Sequence, residues 1–452
     1  MLSKILCNSV HTRGHFFDHL SLKLVGLMLV IPFIMPLDFV FNEAIAFLLG
    51  FLALVFKKNL SENRELPRIS FFVLGLICLL LLQLLIGIPF SSSLTIVAII
   101  YLSWATMLIM LGKTLREQVG LQQMTLTLAW FIAVGGILSA LAAVLQHYKI
   151  HAFFDVVVVL PKAHGPLYGN LRQPNLFASY INMGLISIFY LYAIGKLPRL
   201  FTIVTALLFL LVLDLAASRT AALLLMSIVF SIFLFYFLNK NLQSKKLLIA
   251  ALLLIPGLIV IHLLITYLVI PQQTSSLTVS VEEKFISPEG VVTIQDKMTL
   301  QSGAESQRLN LLRAGWRMFL SAPFTGIGYG QFSKNYYLMP DAYPYNKHWV
   351  YHHSHNLFMH LLAEMGILAP VLVLVFGVLW LVSFFRQTFT AAHWWIVSLL
   401  IILGVDSMLE YPLWYSYFLG IAAILLGMGE SRSVNLLKLV KLKFAHPRIE
   451  SK

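Results

Sequence analysis

Long apolar runs separated by short polar stretches dominate the residue pattern of this chain. About twelve runs approach or exceed the length of about 20 residues that a helix needs to cross a bilayer. They lie near 22–36, 39–56, 70–88, 93–111, 124–146, 175–195, 200–216, 220–238, 247–270, 357–384, 393–409 and 412–429. The pattern therefore predicts an all-α polytopic membrane protein with about twelve transmembrane helices.

The composition agrees with this prediction. Of the 452 residues, 59% are hydrophobic and 11% charged, and the mean hydropathy is +0.85. A soluble domain carries about a quarter charged residues. The net charge of +13 could indicate a nucleic-acid partner, so the distribution of the basic residues has to be considered.

The basic residues follow the membrane topology. With a cytoplasmic N-terminus, most of them fall on the inner side of every second turn and in the C-terminal tail. They are Lys57, Lys58, Arg64, Arg68, Lys113, Arg116, Lys196, Arg199, Lys240, Lys245 and Lys246, then Arg432, Lys438, Lys441, Lys443, Arg448 and Lys452 in the tail. This positive-inside bias accounts for most of the charge without nucleic acid, and it predicts that both termini are cytoplasmic.

Two loops on the opposite, outer side are long, near 147–174 and 271–356. The predicted organisation is therefore helices one to nine over 1–270, a large outer loop over 271–356, helices ten to twelve over 357–430, and a basic tail over 431–452. The β-branched stretches before residue 302 suggest short strands or an ordered excursion.

The second half of the large loop predicts an amphipathic helix, GAESQRLNLLRAGWRMFLSAP. Its apolar side is supplied by Leu309, Leu312, Trp316, Met318 and Phe319. Such a helix is expected to lie at the membrane surface, with its arginines near lipid headgroups. A glycine-rich turn, TGIGYGQF (325–332), follows it.

Four histidines lie where this loop meets the next span. The segment HHSHN (352–356) contains three of them, and Asn356, His360 and Glu364 fall on one helical face. Histidine is suited to accept a hydroxyl proton near neutral pH, so the cluster is interpreted as catalytic. An interfacial cluster and a three-histidine metal site stay open, although the usual spacing of zinc ligands is missing.

Arginines at the outer helix ends are candidates for anion binding. Arg219 lies in a short turn between two apolar spans, where an unpaired charge is costly. It can pair with Asp214 or hold a phosphate through its planar donors. Arg172 is compatible with a ligand or a headgroup contact, and Asn175 is interpreted as a helix N-cap.

The last outer turn contributes Asp406, Glu410 and Tyr411. Its two acids are expected to pair with Arg219, Arg308 or Arg313 rather than to perform chemistry. Arginines and histidines thus gather at one membrane face. That arrangement suits an anionic, lipid-linked substrate and a hydroxyl acceptor.

Four segments resemble the O-antigen ligase superfamily of membrane glycosyltransferases. The ligase signature of His, then Asn, nine residues and Gly is matched by His355, Asn356, 357–365 and Gly366. Three positions later the family pattern has Gly, Thr or Tyr, and this chain has Ala369. The stretches GNLRQPNLFASYI, ESQRLNLLRAGWRMFLSAPFTGIGYGQF and DSMLEYPLWYSYFLG are similar to the PglL-type protein O-oligosaccharyltransferases, including those that glycosylate pilins.

The resemblance implies a GT-C-like fold in the bacterial inner membrane, with a periplasmic loop and active site. The implied reaction is en bloc transfer of an oligosaccharide from undecaprenyl diphosphate to Ser or Thr hydroxyls of a periplasmic protein or pilin, without metal or other cofactor. His355 is then the essential histidine, Asn356 caps a helix or bonds the sugar, and His353 is the second candidate base. The implied diphosphate ligands are Arg219 and Arg308, with Arg172 and Arg313 as further candidates and Asp214, Asp406 and Glu410 as supporting acids.

Other functions remain open at this point. Ligation to lipid A–core and O-antigen polymerisation share the chemistry but differ in the acceptor. From a different class, a flippase or transporter of lipid-linked sugars would also explain the spans and arginines. Transporters, however, place polar residues near mid-membrane in several helices, whereas here they cluster at one face. A non-catalytic scaffold is the remaining possibility.

Overall fold

The protein is described by a computed structural model that covers residues 16–57, 65–149, 157–159, 166–265, 303–339 and 351–435, with 303–307 by their backbone alone. Its helices are α1 (Phe16–Ile34), α2 (Phe39–Phe56), α3 (Ser70–Leu85), α4 (Ser92–Val119), α5 (Leu121–His147), α6 (Pro174–Ala193), α7 (Arg199–Leu215), α8 (Arg219–Leu238), α9 (Leu242–Leu264), α10 (Gly303–Ser321), α11 (Phe332–Leu338), α12 (Leu357–Met365), α13 (Leu368–Phe385), α14 (Ala391–Ser407) and α15 (Ser416–Gly429). The predicted strands before residue 302 and the tail beyond residue 435 lie outside the described residues.

Eight of these helices are long and apolar enough to cross a membrane: α1, α2, α4, α5, α6, α8, α9 and α13. The shorter apolar helices α3, α14 and α15, together with α7, occupy the other predicted spans. The chain is therefore a multi-pass, mainly helical membrane protein. The total of twelve spans stays a prediction.

The prediction of one continuous span over 357–384 is wrong. The structure breaks it into α12 and α13 at Gly366, whose φ is +72°. A Cβ atom on Gly366 would lie 2.4 Å from the carbonyl oxygen of Phe324, so the backbone after α10 packs directly against this break. Apolar periodicity carries no signal for such an interruption.

Helix α6 lies at the centre of the bundle and is buried over almost its whole length. Small residues permit this position: a Cβ atom on Gly136 of α5 would lie only 3.2 Å from the Cα atom of Gly184 on α6. Close backbone approach through small residues is a common way for membrane helices to associate. The start of α6 is thereby held in the middle of one end of the bundle.

The helices alternate in direction, so their ends gather at two faces. At one face α6, α8 and α12 begin; because each starts with a side-chain N-cap, we call it the cap end. At the other, β1 (Glu65–Pro67) pairs antiparallel with β2 (Ser433–Asn435), and we call it the sheet end. This two-stranded ladder qualifies the all-α prediction.

The expected amphipathic helix is present as α10, and the glycine-rich turn follows it. Leu311 and Met318 are buried against α11 and α12, whereas Leu309 and Trp316 are 48% and 46% exposed. Part of the predicted apolar side therefore faces outward. Its contact with the membrane surface stays a prediction.

Candidate functional site

The carboxylate of Glu410 is the centre of a polar cluster at the cap end. It is nearly buried, in the turn between α14 and α15. Its Oε2 lies 3.1 Å from Nδ1 of His355, and its Oε1 accepts hydrogen bonds from Arg308 Nη2 at 3.2 Å and Asn175 Nδ2 at 2.6 Å. Ser218 Oγ donates in turn to Asn175 Oδ1. These five residues form the Glu410 cluster, in which a buried carboxylate has the partners that burial requires.

Asn175 has a different role from the one expected. Gln173 is the N-cap of α6, because its side chain accepts a hydrogen bond from the backbone N–H of Leu176 at 2.6 Å. The capping interpretation of Asn175 is therefore wrong. Pro174 was the available signal, since proline favours the first helical position and places the cap just before it. Asn175 lies in the first turn and bonds Glu410 instead.

Besides Lys149, which follows α5, three non-glycine residues at the cap end have left-handed backbone conformations. They are Arg172, Ala217 and His355, with φ of 56°, 45° and 53°. Each precedes the N-cap of a helix, namely Gln173 of α6, Ser218 of α8 and Asn356 of α12. Such conformations cost energy and concentrate at functional sites. The positive ends of three helix dipoles start in the same region as the cluster.

His355 and His353 lie close together but in different environments. Their ring centroids are 4.3 Å apart, and His353 also lies 3.5 Å from the ring of Tyr411. Burial, and then the charges of neighbouring histidines, lower the pKa of His353 to about 2. A ring with that pKa is a weak base. The carboxylate contact of His355 distinguishes the two.

The spacing of the ligase signature has a structural explanation. Asn356 is the N-cap of α12 and accepts a hydrogen bond from the backbone N–H of Met359 at 3.0 Å. Gly366 is the C-cap, and the nine residues between them are the whole of α12. The signature thus describes one short helix with both ends defined. Asn356 Nδ2 also reaches the carbonyl oxygen of Met408 at 3.3 Å, which ties α12 to the end of α14.

His360 and Glu364 lie against the glycine-rich turn (325–332), and Glu364 holds its backbone. They are buried, and Nε2 of His360 lies 3.1 Å from Oε2 of Glu364. The Glu364 carboxylate also accepts backbone hydrogen bonds from Gly330 and Phe332, both at 2.8 Å. The predicted face of Asn356, His360 and Glu364 therefore builds the scaffold beside the cluster.

The remaining candidates divide by position. Arg172 forms an ion pair with Asp38, with 2.6 Å between Nη1 and Oδ1, and Arg219 is the half-buried first residue of α8. Arg313 is exposed on α10. Arg172 and Arg308 therefore pair with different carboxylates, Asp38 and Glu410.

The two further acids have partners of their own. Asp214 lies 3.3 Å from Nδ1 of His262, and Asp406 accepts a hydrogen bond from Ser179 at 2.6 Å. Of the three predicted supporting acids, Glu410 is the one that contacts His355 and Arg308. In the part of the chain that the structure describes, no three His, Cys, Asp or Glu side chains form a group that could hold a metal ion.

Family models match three successive segments of the chain. Residues 167–192 match the protein glycosylation ligase model, residues 204–374 the O-antigen ligase model, and residues 394–444 the C-terminal model of a virulence factor membrane-bound polymerase. A general O-oligosaccharyltransferase of Acinetobacter baylyi is 26% identical over 400 residues, which are 85% of this chain and 65% of that protein's length.

Each matched segment contributes to the Glu410 cluster. The first supplies Asn175, the second Ser218, Arg308 and His355, and the third Glu410 itself. The expected resemblance is thereby confirmed: the chain is similar to the O-antigen ligases and protein glycosylation ligases in the segments that build this cluster.

Proposed function

We propose that this protein is a glycosyltransferase that transfers an oligosaccharide en bloc from undecaprenyl diphosphate to a Ser or Thr hydroxyl of a periplasmic protein, pilins included. One observation carries the proposal: Glu410 binds His355 and Arg308 through its two carboxylate oxygens. A base and a phosphate-binding group are thus held a few ångströms apart on one rigid anion.

The first role is that of the base. When Nδ1–H of His355 donates a hydrogen bond to Glu410, the lone pair of Nε2 is available to an incoming hydroxyl. A carboxylate that orients a histidine in this way also stabilises the imidazolium that forms. A positioned base contributes about 10²–10⁴-fold to the rate. We assign this role to His355 rather than His353, whose low pKa makes it a weak acceptor. Asn356 acts as a positioning residue that caps α12.

The second role is stabilisation of the leaving group. Transfer releases undecaprenyl diphosphate, so negative charge grows on the phosphate oxygens as the anomeric bond breaks. Arg308, Arg219 and Arg172 border the region where three helices begin, and fixed donors of this kind typically stabilise a transition state by about 3–4 kcal/mol each. Arg313 is exposed, and we assign it to attracting the anionic lipid as the lipid approaches the site.

A protein acceptor is supported by the relative whose name describes it as a general O-oligosaccharyltransferase. A second candidate keeps the donor and changes the acceptor. The matches to the O-antigen ligase and membrane-bound polymerase models support ligation to lipid A–core, or extension of a glycan.

The proposed setting is the bacterial inner membrane. The positive-inside rule places the basic sheet end and both termini in the cytoplasm, and hence the cap end in the periplasm. The loop predicted over 271–356 is then on the periplasmic side, where an acceptor protein can be engaged.

The test uses the purified full-length protein in lipid nanodiscs, with an undecaprenyl-diphosphate oligosaccharide and a periplasmic pilin as acceptor. Intact-protein mass spectrometry then measures the acceptor. A glycan-sized mass gain is expected from the wild type. In His355→Ala, its rate should fall by about 10²-fold or more because the base is lost.

A matched control is His352→Ala, which removes an exposed histidine three positions away and should retain transfer. Full activity of His355→Ala would refute the assigned base. Transfer to lipid A–core but not to protein would favour the second candidate. Movement of donor across the bilayer without any covalent product would indicate the transporter class.

A further inference from the structure

Ser218 and Asn175 connect the start of α8 to Glu410 by consecutive hydrogen bonds. Ser218 Oγ donates to Asn175 Oδ1, and Asn175 Nδ2 donates to Glu410 Oε1, whose other oxygen contacts His355. We propose that Asn175 is a positioning residue, which couples occupation of the donor site at the start of α8 to the orientation of the His355 ring. This inference rests on the proposed function, because it concerns the same donor and base.

Asn175 is suited to this role because its amide has two different ends. Its oxygen can only accept and its NH₂ group can only donate, so a rotated amide would set its oxygen against the Glu410 carboxylate and lose that bond. Gln173 caps α6, which leaves the Asn175 side chain for these contacts. Glu410 is 5% exposed, so few alternative donors can replace Asn175 there.

The other end of the connection is the phosphate side. Ser218 is the N-cap of α8, and Arg219 is the first residue of that helix. Ala217, just before them, has a φ of 45°, a conformation that a non-glycine residue keeps only when its surroundings hold it. A diphosphate drawn to Arg219 and to the first N–H groups of α8 therefore acts on the turn that positions Ser218. Asn175 transmits that change to Glu410, and Glu410 orients His355. The donor binds first, and the base is aligned afterwards.

The kinetic test compares Asn175→Ala, Ser218→Gly and the double variant in nanodiscs. Glycine serves almost as well as serine at an N-cap, so Ser218→Gly removes the hydroxyl while largely preserving α8. Each single variant should lower kcat per folded molecule about tenfold or more at unchanged donor KM. The double variant should be no slower than the slower single one, because the residues act as a unit. Ser218→Thr retains the hydroxyl and should retain the rate. Losses that multiply, or a raised donor KM at normal kcat, would overturn the coupling.

A spectroscopic test does not require transfer. The ¹⁵N ring signals of His355, assigned with His355→Gln, are recorded before and after addition of undecaprenyl diphosphate. They should shift in the wild type and stay unchanged in Asn175→Ala and Ser218→Gly. A wild type that responds in this way but transfers glycan to no acceptor would refute the proposed function and leave the coupling intact. An unresponsive wild type that still transfers glycan would refute the coupling alone.

Discussion

The cap end and the sheet end of the bundle both contain a buried glutamate, but the two are bonded differently. Glu430, at the sheet end, accepts hydrogen bonds from the backbone N–H groups of Ile69 and Arg432 at 3.0 and 2.9 Å. Glu410, at the cap end, is held by the side chains of His355, Arg308 and Asn175. The backbone donors to Glu430 hold the segment before α3 against the segment after α15. The side-chain donors to Glu410 are groups that can also act on a ligand.

The cations follow the same division. At the sheet end Lys57 is buried in an ion pair with Asp18, and Arg116 donates to the carbonyl oxygen of Met428 at 2.8 Å. At the cap end the side chains of Arg308 and Arg172 are 42% and 37% exposed while each contacts a carboxylate. The sheet end therefore uses charge to join helices, and the cap end keeps charge accessible to an anionic substrate.

The strongest test of this comparison is Arg308→Ala. If Arg308 stabilises the departing diphosphate, the transfer rate per folded molecule should fall by about 10²–10³-fold, separately from any loss of stability caused by removing a partner of Glu410. Steady-state kinetics in nanodiscs gives the rate, and a thermal melt gives the stability. Arg313→Ala, on the exposed side of α10, is the matched control. An equal loss of rate in both variants would indicate that the diphosphate binds at the outer face of α10 instead.

Gly366→Ala should damage the cap end by a structural route. Its φ of +72° strains any other residue, and the new Cβ would meet the carbonyl oxygen of Phe324 at 2.4 Å. We expect a loss of about 2 kcal/mol or more in stability, seen as a lower melting temperature. Gly377→Ala in α13 has no atom within 4 Å of the new Cβ and should leave the melt unchanged or slightly raised. Equal behaviour of the two variants would contradict the account of the helix break.

Arg116→Ala addresses the sheet end. Loss of its hydrogen bonds to Met428 and Gln387 should destabilise the protein by about 1.5–3 kcal/mol, since charge-assisted bonds contribute that much. The rate per folded molecule should stay at the wild-type value, because the contacts lie at the far end from Glu410. A melt and an activity assay normalised to folded protein separate these quantities. A large fall in kcat with an unchanged melting temperature would contradict the view that charges at the sheet end contribute to stability alone.

At neutral pH and above, the smallest effect is expected from His353→Gln. The pKa of His353 is about 2 in the folded protein and near 6.5 for an unfolded chain, so between these values the unfolded state binds more protons. Stability should therefore fall as the pH drops below about 6.5, and the substitution should reduce that dependence. Melting temperatures at pH 5 and pH 7.5 measure it. A transfer rate within about tenfold of the wild type would agree with His355 as the base, and a loss as large as that of His355→Ala would contradict it.

The sequence by itself determined the membrane class, the positions of most helices and the two-ended distribution of charge. Each of these depends on local composition: a run of apolar residues must avoid water whatever its neighbours are. The signature over His355–Gly366 was also readable, because a capped helix of nine residues is encoded within one segment.

Only the tertiary structure decided which polar residues meet. Asn175, Ser218, Arg308, His355 and Glu410 come from five separate regions of the chain, and helix packing brings them together. Sequence reasoning named Arg308, Glu410 and His355 as candidates but did not distinguish Glu410 from Asp406, or His355 from His353. Those distinctions depend on burial and on partners distant in sequence. The roles of Asn175 and Ser218 also depend on partners that are distant in sequence. A hydrogen bond requires only that two atoms are close in space, so the sequence shows no periodic pattern that would reveal it.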